Sequence, residues 1–290
     1  MVSRSVSVAF DGVDGCALFG QGWLPQHDPR AVVIVAHGMS EHSGRYHHVG
    51  STFAAAGLAT WALDHRGHGR SGGRRAFVRS FDEYVADLEA FRLLVTQRHP
   101  DIPMVLLGHS MGGAIATAHA IDHPDRFDGL ILTGPALQPS LGINAAVIRV
   151  GRIVARVRPT LGIMAPNGAK VSRDPAVVAA YRADPLVRRG KITAGLGAAL
   201  LARAARFPDE VGSLRLPVLV IHGDADALVP VASSRNLVPR FGSGDLTYIE
   251  EPGLYHEVLN EPEQERIMTT MLQWMAQRLA AGSRPGSHQP

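Results

Sequence analysis

Leu106-Leu107-Gly108-His109-Ser110-Met111-Gly112-Gly113 decides the fold. The apolar run Met104-Val105-Leu106-Leu107 leads into it, and Ala114-Ile115-Ala116-Thr117-Ala118 follows. This is the pattern of a buried strand, a sharp turn and a helix, with a serine at the apex. The spacing across the turn is G-x-S-x-G. Gly108 and Gly112 are needed because side chains two residues either side of the serine would collide with the neighbouring strand and helix. The hydroxyl is then held at a strand end, beside a helix N-terminus that favours negative charge. A glycine-rich turn with an idle serine has the same spelling. A catalytic serine requires a base, an acid and oxyanion donors from the rest of the chain.

Outward from this turn, strands and helices alternate. Val6, Val8 and Phe10 form a first strand, Asp11-Gly12-Val13-Asp14-Gly15 a turn, and residues 17–23 a second strand, which predicts an antiparallel start. Ala31-Val32-Val33-Ile34-Val35-Ala36 is continuously apolar, the mark of a strand buried on both faces. A helix over 46–56, stopped by Gly57, and a strand over 58–63 follow. Phe81, Tyr84, Val85, Leu88, Phe91, Leu94 and Val95 keep helical spacing. After the central turn comes Gly129-Leu130-Ile131-Leu132-Thr133. The alternation predicts an α/β fold of about eight strands, mostly parallel, wrapped by helices on both faces.

Between residues 136 and 211 no buried strand is expected, only helical stretches broken by Pro and Gly. Alternation resumes at Leu216-Pro217-Val218-Leu219-Val220-Ile221 and Leu246-Thr247-Tyr248-Ile249, and closes with a helix through Ile267, Met271, Trp274, Met275 and Arg278. The expected organisation is a core from 1–135 and 212–280, a helical cap inserted over 136–211, and a disordered tail over 281–290, which is rich in Gly, Ser and Pro.

The bulk numbers narrow the function classes. The chain has 290 residues, 46% hydrophobic and 19% charged, with a net charge of +3. That suits one large domain with an insertion. No block of five or six Lys/Arg occurs, so nucleic acid is not an expected partner. The single cysteine, Cys16, allows no intrachain disulfide. No signal peptide and no run of 18 apolar residues is visible, so a cytoplasmic or peripherally membrane-associated protein is expected.

For a serine on such a sheet, the acid and then the base follow on loops after late strands. The strand ending at Ile221 runs into His222-Gly223-Asp224-Ala225-Asp226. Asp224 suits a turn, capping local N–H groups. Asp226 lies further out and is the expected acid. Past the last strand, Glu251-Pro252-Gly253-Leu254-Tyr255-His256-Glu257 places His256 where the base belongs. Among 14 histidines, His222 and His109 are the nearby rivals, and both suit packing or hydrogen bonding better. Glu257 is not expected to serve as the acid, because adjacent side chains diverge. The oxyanion donors expected are the N–H of Met111, after the serine, and of Met39, on the loop His37-Gly38-Met39-Ser40-Glu41-His42. Asp64-His65-Arg66-Gly67-His68-Gly69-Arg70-Ser71 lacks convincing metal-ligand or phosphate-loop spacing, so it is expected to be a structural turn in which Asp64 and Arg66 fix neighbouring loops. No metal or cofactor is expected.

With these residues in place, His37-Gly38-Met39-Ser40-Glu41-His42-Ser43-Gly44-Arg45-Tyr46, Asp64-His65-Arg66-Gly67-His68-Gly69, Gly108-His109-Ser110-Met111-Gly112-Gly113, Tyr255-His256-Glu257 and Asp184-Pro185-Leu186-Val187 together resemble monoacylglycerol lipases of the α/β-hydrolase superfamily, the actinobacterial type most of all. The similarity runs over residues 6–279. It implies a serine hydrolase that cleaves monoacylglycerol to glycerol and fatty acid without a metal. It maps the nucleophile, acid and base to Ser110, Asp226 and His256, and the oxyanion donors to Met39 and Met111. It further implies that Tyr181 faces the glycerol end of the substrate, with Glu41 and Arg45 beside the glycerol exit. Mammalian members carry another histidine soon after the base, where this chain has Val258-Leu259-Asn260. A broader carboxylesterase or lysophospholipase with the same triad, and a non-catalytic ligand-binding protein of the same fold, are the alternatives.

Within the cap, Ile143, Ala146, Val147, Val150, Val154 and Val157 keep helical spacing, with Arg149, Arg152, Arg156 and Arg158 interleaved. Two arrangements fit: a helix lying on the core with its arginines outward, or an amphipathic helix meeting a lipid surface. Leu196, Ala199, Leu200 and Phe207 either line an apolar tunnel or pack the cap.

Overall fold

The computed structural model describes residues 4–138, 143–165 and 167–279; the expected 281–290 tail lies outside them. The large sheet has eight strands: β1 (Arg4–Asp11), β2 (Ala17–Leu24), β3 (Ala31–Ala36), β4 (Leu58–Asp64), β5 (Met104–His109), β6 (Gly129–Thr133), β9 (Val218–Gly223) and β10 (Leu246–Glu251). The order is β1-β2-β4-β3-β5-β6-β9-β10. β1, β2 and β4 pair antiparallel. The pairs from β4 through β3, β5, β6 and β9 to β10 are parallel. β7 (Gly162–Met164) and β8 (Ile192–Thr193) form a separate antiparallel pair inside the region where no buried strand is expected; β8 is buried and β7 is not. A two-residue strand such as β8 is too short to show a periodicity.

Continuously apolar strands work because alternate side chains serve opposite faces. Val32 and Ile34 of β3, Leu106 of β5, Leu130 and Leu132 of β6, and Val218 and Val220 of β9 enter one core layer with helices α2 (Asp82–Arg98) and α3 (Met111–Asp122). The intervening Val33, Val35, Val105, Leu107, Ile131, Leu219 and Ile221 enter the other, against α1 (His47–Ala55) and α9 (Gln264–Leu279). A short 3-10 turn, Ser43–Tyr46, precedes α1, so the regular helix begins one residue later than its apolar pattern.

The chain leaves the large sheet after β6 and returns at β9. Between them lie α4 (Ala145–Val157), α5 (Pro175–Ala183), α6 (Ala194–Ala204) and α7 (Phe207–Glu210). Leu196 and Leu200 of α6, with Phe207, join the core layer beneath them, so these three serve packing. The short α8 (Ala232–Leu237) follows β9.

The sheet reverses its winding between β3 and β5, and ligand sites form at the carboxyl ends of strands beside such a reversal. The loop after β3 and the turn after β5, which carry the expected oxyanion donors and the serine, are neighbours at that point.

Candidate active site

Ser110 stands between β5 and α3 with φ 53° and ψ −118°, a conformation L-residues rarely adopt. Its N–H donates to Thr133 O (3.0 Å), and its carbonyl accepts from Ala114 N (3.2 Å) and Ala136 N (3.0 Å). The glycines are there because backbone crowds them. A methyl group on Gly112 would sit 2.0 Å from Ala36 O, and one on Gly108 would sit 2.6 Å from Gly112 O.

The three groups expected to work together are brought together. Ser110 Oγ lies 2.8 Å from His256 Nε2, and His256 Nδ1 lies 2.6 Å from Asp226 Oδ2. All three residues are buried, at 8%, 5% and 7% exposure. Asp226 faces Nδ1, so that nitrogen carries the ring proton and Nε2 presents its lone pair to the serine hydroxyl. Burial works to lower the His256 pKa, but the adjacent Asp226 carboxylate outweighs it and raises the imidazole above its ordinary 6.5. Burial likewise opposes the ionised form of Asp226; His256, His222 and the Val229 N–H together hold its pKa well below the usual carboxylate range. Asp224 takes the turn role, accepting from Gly253 N at 2.6 Å.

His222, expected to pack or hydrogen-bond, does the latter. Its Nε2 lies 3.2 Å from Asp226 Oδ2 and 3.0 Å from Val229 O. Both are acceptors, so Nε2 carries the proton and Nδ1 accepts from Ser234 Oγ at 2.8 Å. Asp226 Oδ1 accepts from the N–H groups of Leu228 (2.8 Å) and Val229 (2.9 Å). The carboxylate therefore takes four donors, two histidine rings on one oxygen and two amides on the other. His109, the other rival, lies with its ring centroid 4.8 Å from that of His256 and its Nδ1 3.0 Å from Thr133 O. Burial pushes its pKa down to about 4, so the ring beside Ser110 is neutral near pH 7.

The loop after β3 lies against the serine. A methyl on Gly38 would come within 3.2 Å of Ser110 Cβ and 3.0 Å of His109 Cδ2. Glu41 shapes this loop from inside: Oε1 accepts from Gly38 N (2.5 Å) and Tyr46 Oη (2.9 Å), and Oε2 from Arg45 Nη1 (2.9 Å). Arg45 also makes a two-pronged bond to Glu257, at 2.6 and 2.7 Å, with its guanidinium 4.8 Å from the centre of the Tyr181 ring. Glu41 and Arg45, expected beside the substrate, thus have partners within the protein. Glu257 is the member sequence reasoning passed over. A largely buried arginine demands carboxylates, but nothing in a sequence says which. Met111 opens α3, so its N–H has no helical acceptor a turn earlier.

The segment between β6 and β9 is tied to both loops. Arg188 N donates to Ser40 O (2.8 Å), and His42 Nε2 meets Asp184 Oδ2 (2.8 Å). On the base side, Glu257 N donates to Val171 O (2.8 Å), and Arg173 Nε to Glu261 Oε2 (2.6 Å). The Asp64 turn is structural: its carboxylate accepts from Ser43 N and Arg70 N, both at 2.7 Å, while Arg66 pairs with Asp87 at 2.5 Å and Asp14 at 3.1 Å. Among the described residues, no group of three or more His, Cys, Asp and Glu is placed to hold a metal ion.

A family model described as serine aminopeptidase, S33 matches residues 27–263. The chain is 44% identical over 280 residues to a monoacylglycerol lipase of Mycolicibacterium smegmatis, covering 96% of this chain and 100% of that protein. The chain belongs to the monoacylglycerol lipase family. It is also 32% identical to the human monoglyceride lipase, over 92% of this chain and 89% of that one. Among solved structures, a monoacylglycerol lipase of Paleococcus ferrophilus superimposes with a TM-score of 0.80 at 27% identity, covering 96% of this chain and 100% of that chain. A soluble variant of the Saccharomyces cerevisiae monoglyceride lipase shares the fold, with a TM-score of 0.84 at 22% identity and 96% coverage of both chains. The fold is the α/β-hydrolase fold, and as a monoacylglycerol lipase family member the chain is a carboxylic ester hydrolase.

Proposed function

We propose that the protein hydrolyses monoacylglycerols to glycerol and fatty acid, with Ser110 as nucleophile, His256 as base and Asp226 as its orienting acid. The observation that carries this is the continuous hydrogen-bonded line from Ser110 Oγ through both nitrogens of His256 to Asp226, at 2.8 and 2.6 Å. In this reading His256 Nε2 takes the hydroxyl proton as Ser110 Oγ attacks the ester carbonyl carbon. The carbonyl electrons move onto oxygen, and the Met39 and Met111 N–H groups stabilise that oxyanion. As the C–O bond to glycerol breaks, His256 returns the proton to the departing oxygen. A water then repeats the sequence on the acyl-serine and releases the fatty acid. Glu41, Arg45 and Glu257 hold the Met39 loop against the base loop. Tyr181, clamped by Arg45, closes the glycerol side beneath the 136–211 cap.

We further read α4 as the membrane-facing part of that cap. None of its residues is buried, and Val147, Val150, Ile153 and Val157 are 62%, 59%, 56% and 74% exposed. Such a stripe favours the interface of a lipid layer, where the substrate resides. Among the described residues no helix is long and apolar enough to cross a membrane.

The test is a hydrolysis profile of the purified protein. Monoacyl, diacyl and triacyl glycerols, lysophospholipids and simple esters are compared across chain lengths. Monoacylglycerols should give the highest kcat/KM. Equal or better turnover of lysophospholipids or simple esters would replace this substrate assignment with the broader one.

A further inference from the structure

A cavity lies along α6, on the side away from the serine. Its volume is about 650 Å³, within the range of small-molecule sites. It is bounded by the 77–82 segment, α4 and α6, and none of Ser110, His256, Met39 and Met111 borders it. α6 is the wall between: Leu196 and Leu200 pack into the core layer that contains Met111, while Ala198 and Ala202 face this cleft.

The lining has two chemistries. Phe77, Pro159, Ala198 and Ala202 make an apolar floor, and Arg79, Arg152, Arg156, Arg203 and Arg206 stand round it with Asp82 as the single carboxylate. Three of the five arginines are neutralised. Arg79 pairs with Glu83 and Asp14, Arg203 with Asp122 and Glu210, and Arg206 with Glu210. Arg152 and Arg156, one turn apart on α4, have no carboxylate partner among the described residues. Arg203 is 2% exposed, and its Nε–H is left without an acceptor. Buried donors without acceptors are costly, and guanidinium forks suit anionic oxygens. The centre of the exposed apolar face of α4 lies roughly 135° round the helix from the midpoint of these two arginines.

We propose that this cleft binds the phosphodiester headgroup of an anionic phospholipid, with Arg152 and Arg156 taking the phosphate oxygens and the apolar floor taking the glycerol and upper acyl chain. The volume exceeds the need of a bare phosphate. The occupant rests on the reading of α4 as a membrane-facing helix, because that face brings the arginines to headgroup depth.

A short-chain, ether-linked phosphatidylglycerol below its micelle concentration serves as the probe, because it cannot be hydrolysed and needs no bilayer. The matching phosphatidylcholine and inorganic phosphate are the comparisons. The wild-type protein should bind the phosphatidylglycerol more tightly than either. The pair Arg152→Gln/Arg156→Gln should weaken binding about thirty-fold, at about five-fold per arginine. The charge-matched pair Arg149→Gln/Arg158→Gln, outside the cleft, should cost less than about three-fold on the same scale. Equal losses from both pairs, or no preference over phosphatidylcholine, would overturn the site. Phosphate binding as tight as the lipid would overturn its lipid character. Vesicle binding is measured separately: monomeric lipid held without vesicle binding removes the membrane-facing role of α4 and keeps the cleft, and the reverse result removes the cleft and keeps that role.

Discussion

The strand ends around Ser110 and the helix α4 treat polar and apolar groups in opposite ways. At the strand ends, charged and polar side chains are buried and paired: Asp226 takes four donors, and Glu41 takes three. On α4 nothing is buried, and Val147, Val150, Ile153 and Val157 are exposed. Buried polar groups survive only in one satisfied arrangement, so they hold reacting atoms in place. An exposed apolar stripe has no partner in its own chain and gains free energy only when something apolar covers it. The first region is built to fix a geometry, the second to find a phase.

The largest expected effect separates the two regions outright. Ser110→Ala should lower kcat by roughly a million-fold, as removal of a nucleophile does elsewhere, while vesicle binding and Tm stay near wild type. Residual hydrolysis near wild type, measured with a soluble short-chain ester, would remove Ser110 from the mechanism. Next is Asp226→Asn. An amide in place of the carboxylate no longer secures the proton on Nδ1, and a loss of roughly 10⁴-fold in kcat is expected. A loss of only a few-fold would mean that Asp226 does not orient His256.

The α4 side breaks in the other direction. Val147→Asp/Val150→Asp puts two charges on the exposed stripe. Each valine side chain is worth about 1.5 kcal/mol on transfer out of water, so vesicle affinity should fall by about a hundred-fold or more. Hydrolysis of the short soluble ester should change by less than about two-fold, in line with surface substitutions generally. Sedimentation with vesicles and ester kinetics on the same preparation check both halves. Equal loss in the two assays would mean that α4 supports the active site instead of a lipid surface.

The same division governs how much of the molecule is legible in its amino-acid sequence. The strands β3, β5 and β9 carry unbroken apolar runs, and Ser110, Asp226 and His256 fall on the loops that the sheet order requires. Periodicity and chain order are properties of the sequence itself. The partners of those residues are not. Arg45 and Glu257 are separated by 212 positions, and no local pattern says which carboxylate an arginine will meet. The direction of α4 is equally hidden, because an apolar stripe has one spacing whether it faces a core or a membrane. β8, with two residues, is below the length at which alternation exists.

The smallest effect concerns His222, which bonds to Asp226, Val229 and Ser234 but not to Ser110, and is positioned to act through Asp226. Its Nε2–H and the His256 Nδ1–H converge on the same oxygen, Asp226 Oδ2, at 3.2 and 2.6 Å. A donated N–H draws charge from that oxygen and weakens its hold on the imidazolium that forms at His256. In the proposed mechanism His256 must be neutral to accept the serine proton. Its pKa is raised, so kcat/KM should fall as pH drops through a value above 6.5. His222→Leu removes the competing donor. Asp226 then supports the imidazolium more strongly, the His256 pKa rises further, and the acid limb moves to higher pH by several tenths of a unit, each unit being about 1.4 kcal/mol. His222→Gln, which keeps an N–H donor, should bring the limb back toward wild type. The leucine variant should also lose about 1–3 kcal/mol of stability, because the Ser234 hydroxyl and part of the Asp226 carboxylate are left unpaired. A purely structural histidine would produce that stability loss with no movement of the acid limb, so the pH profile separates the two roles where the melting temperature cannot.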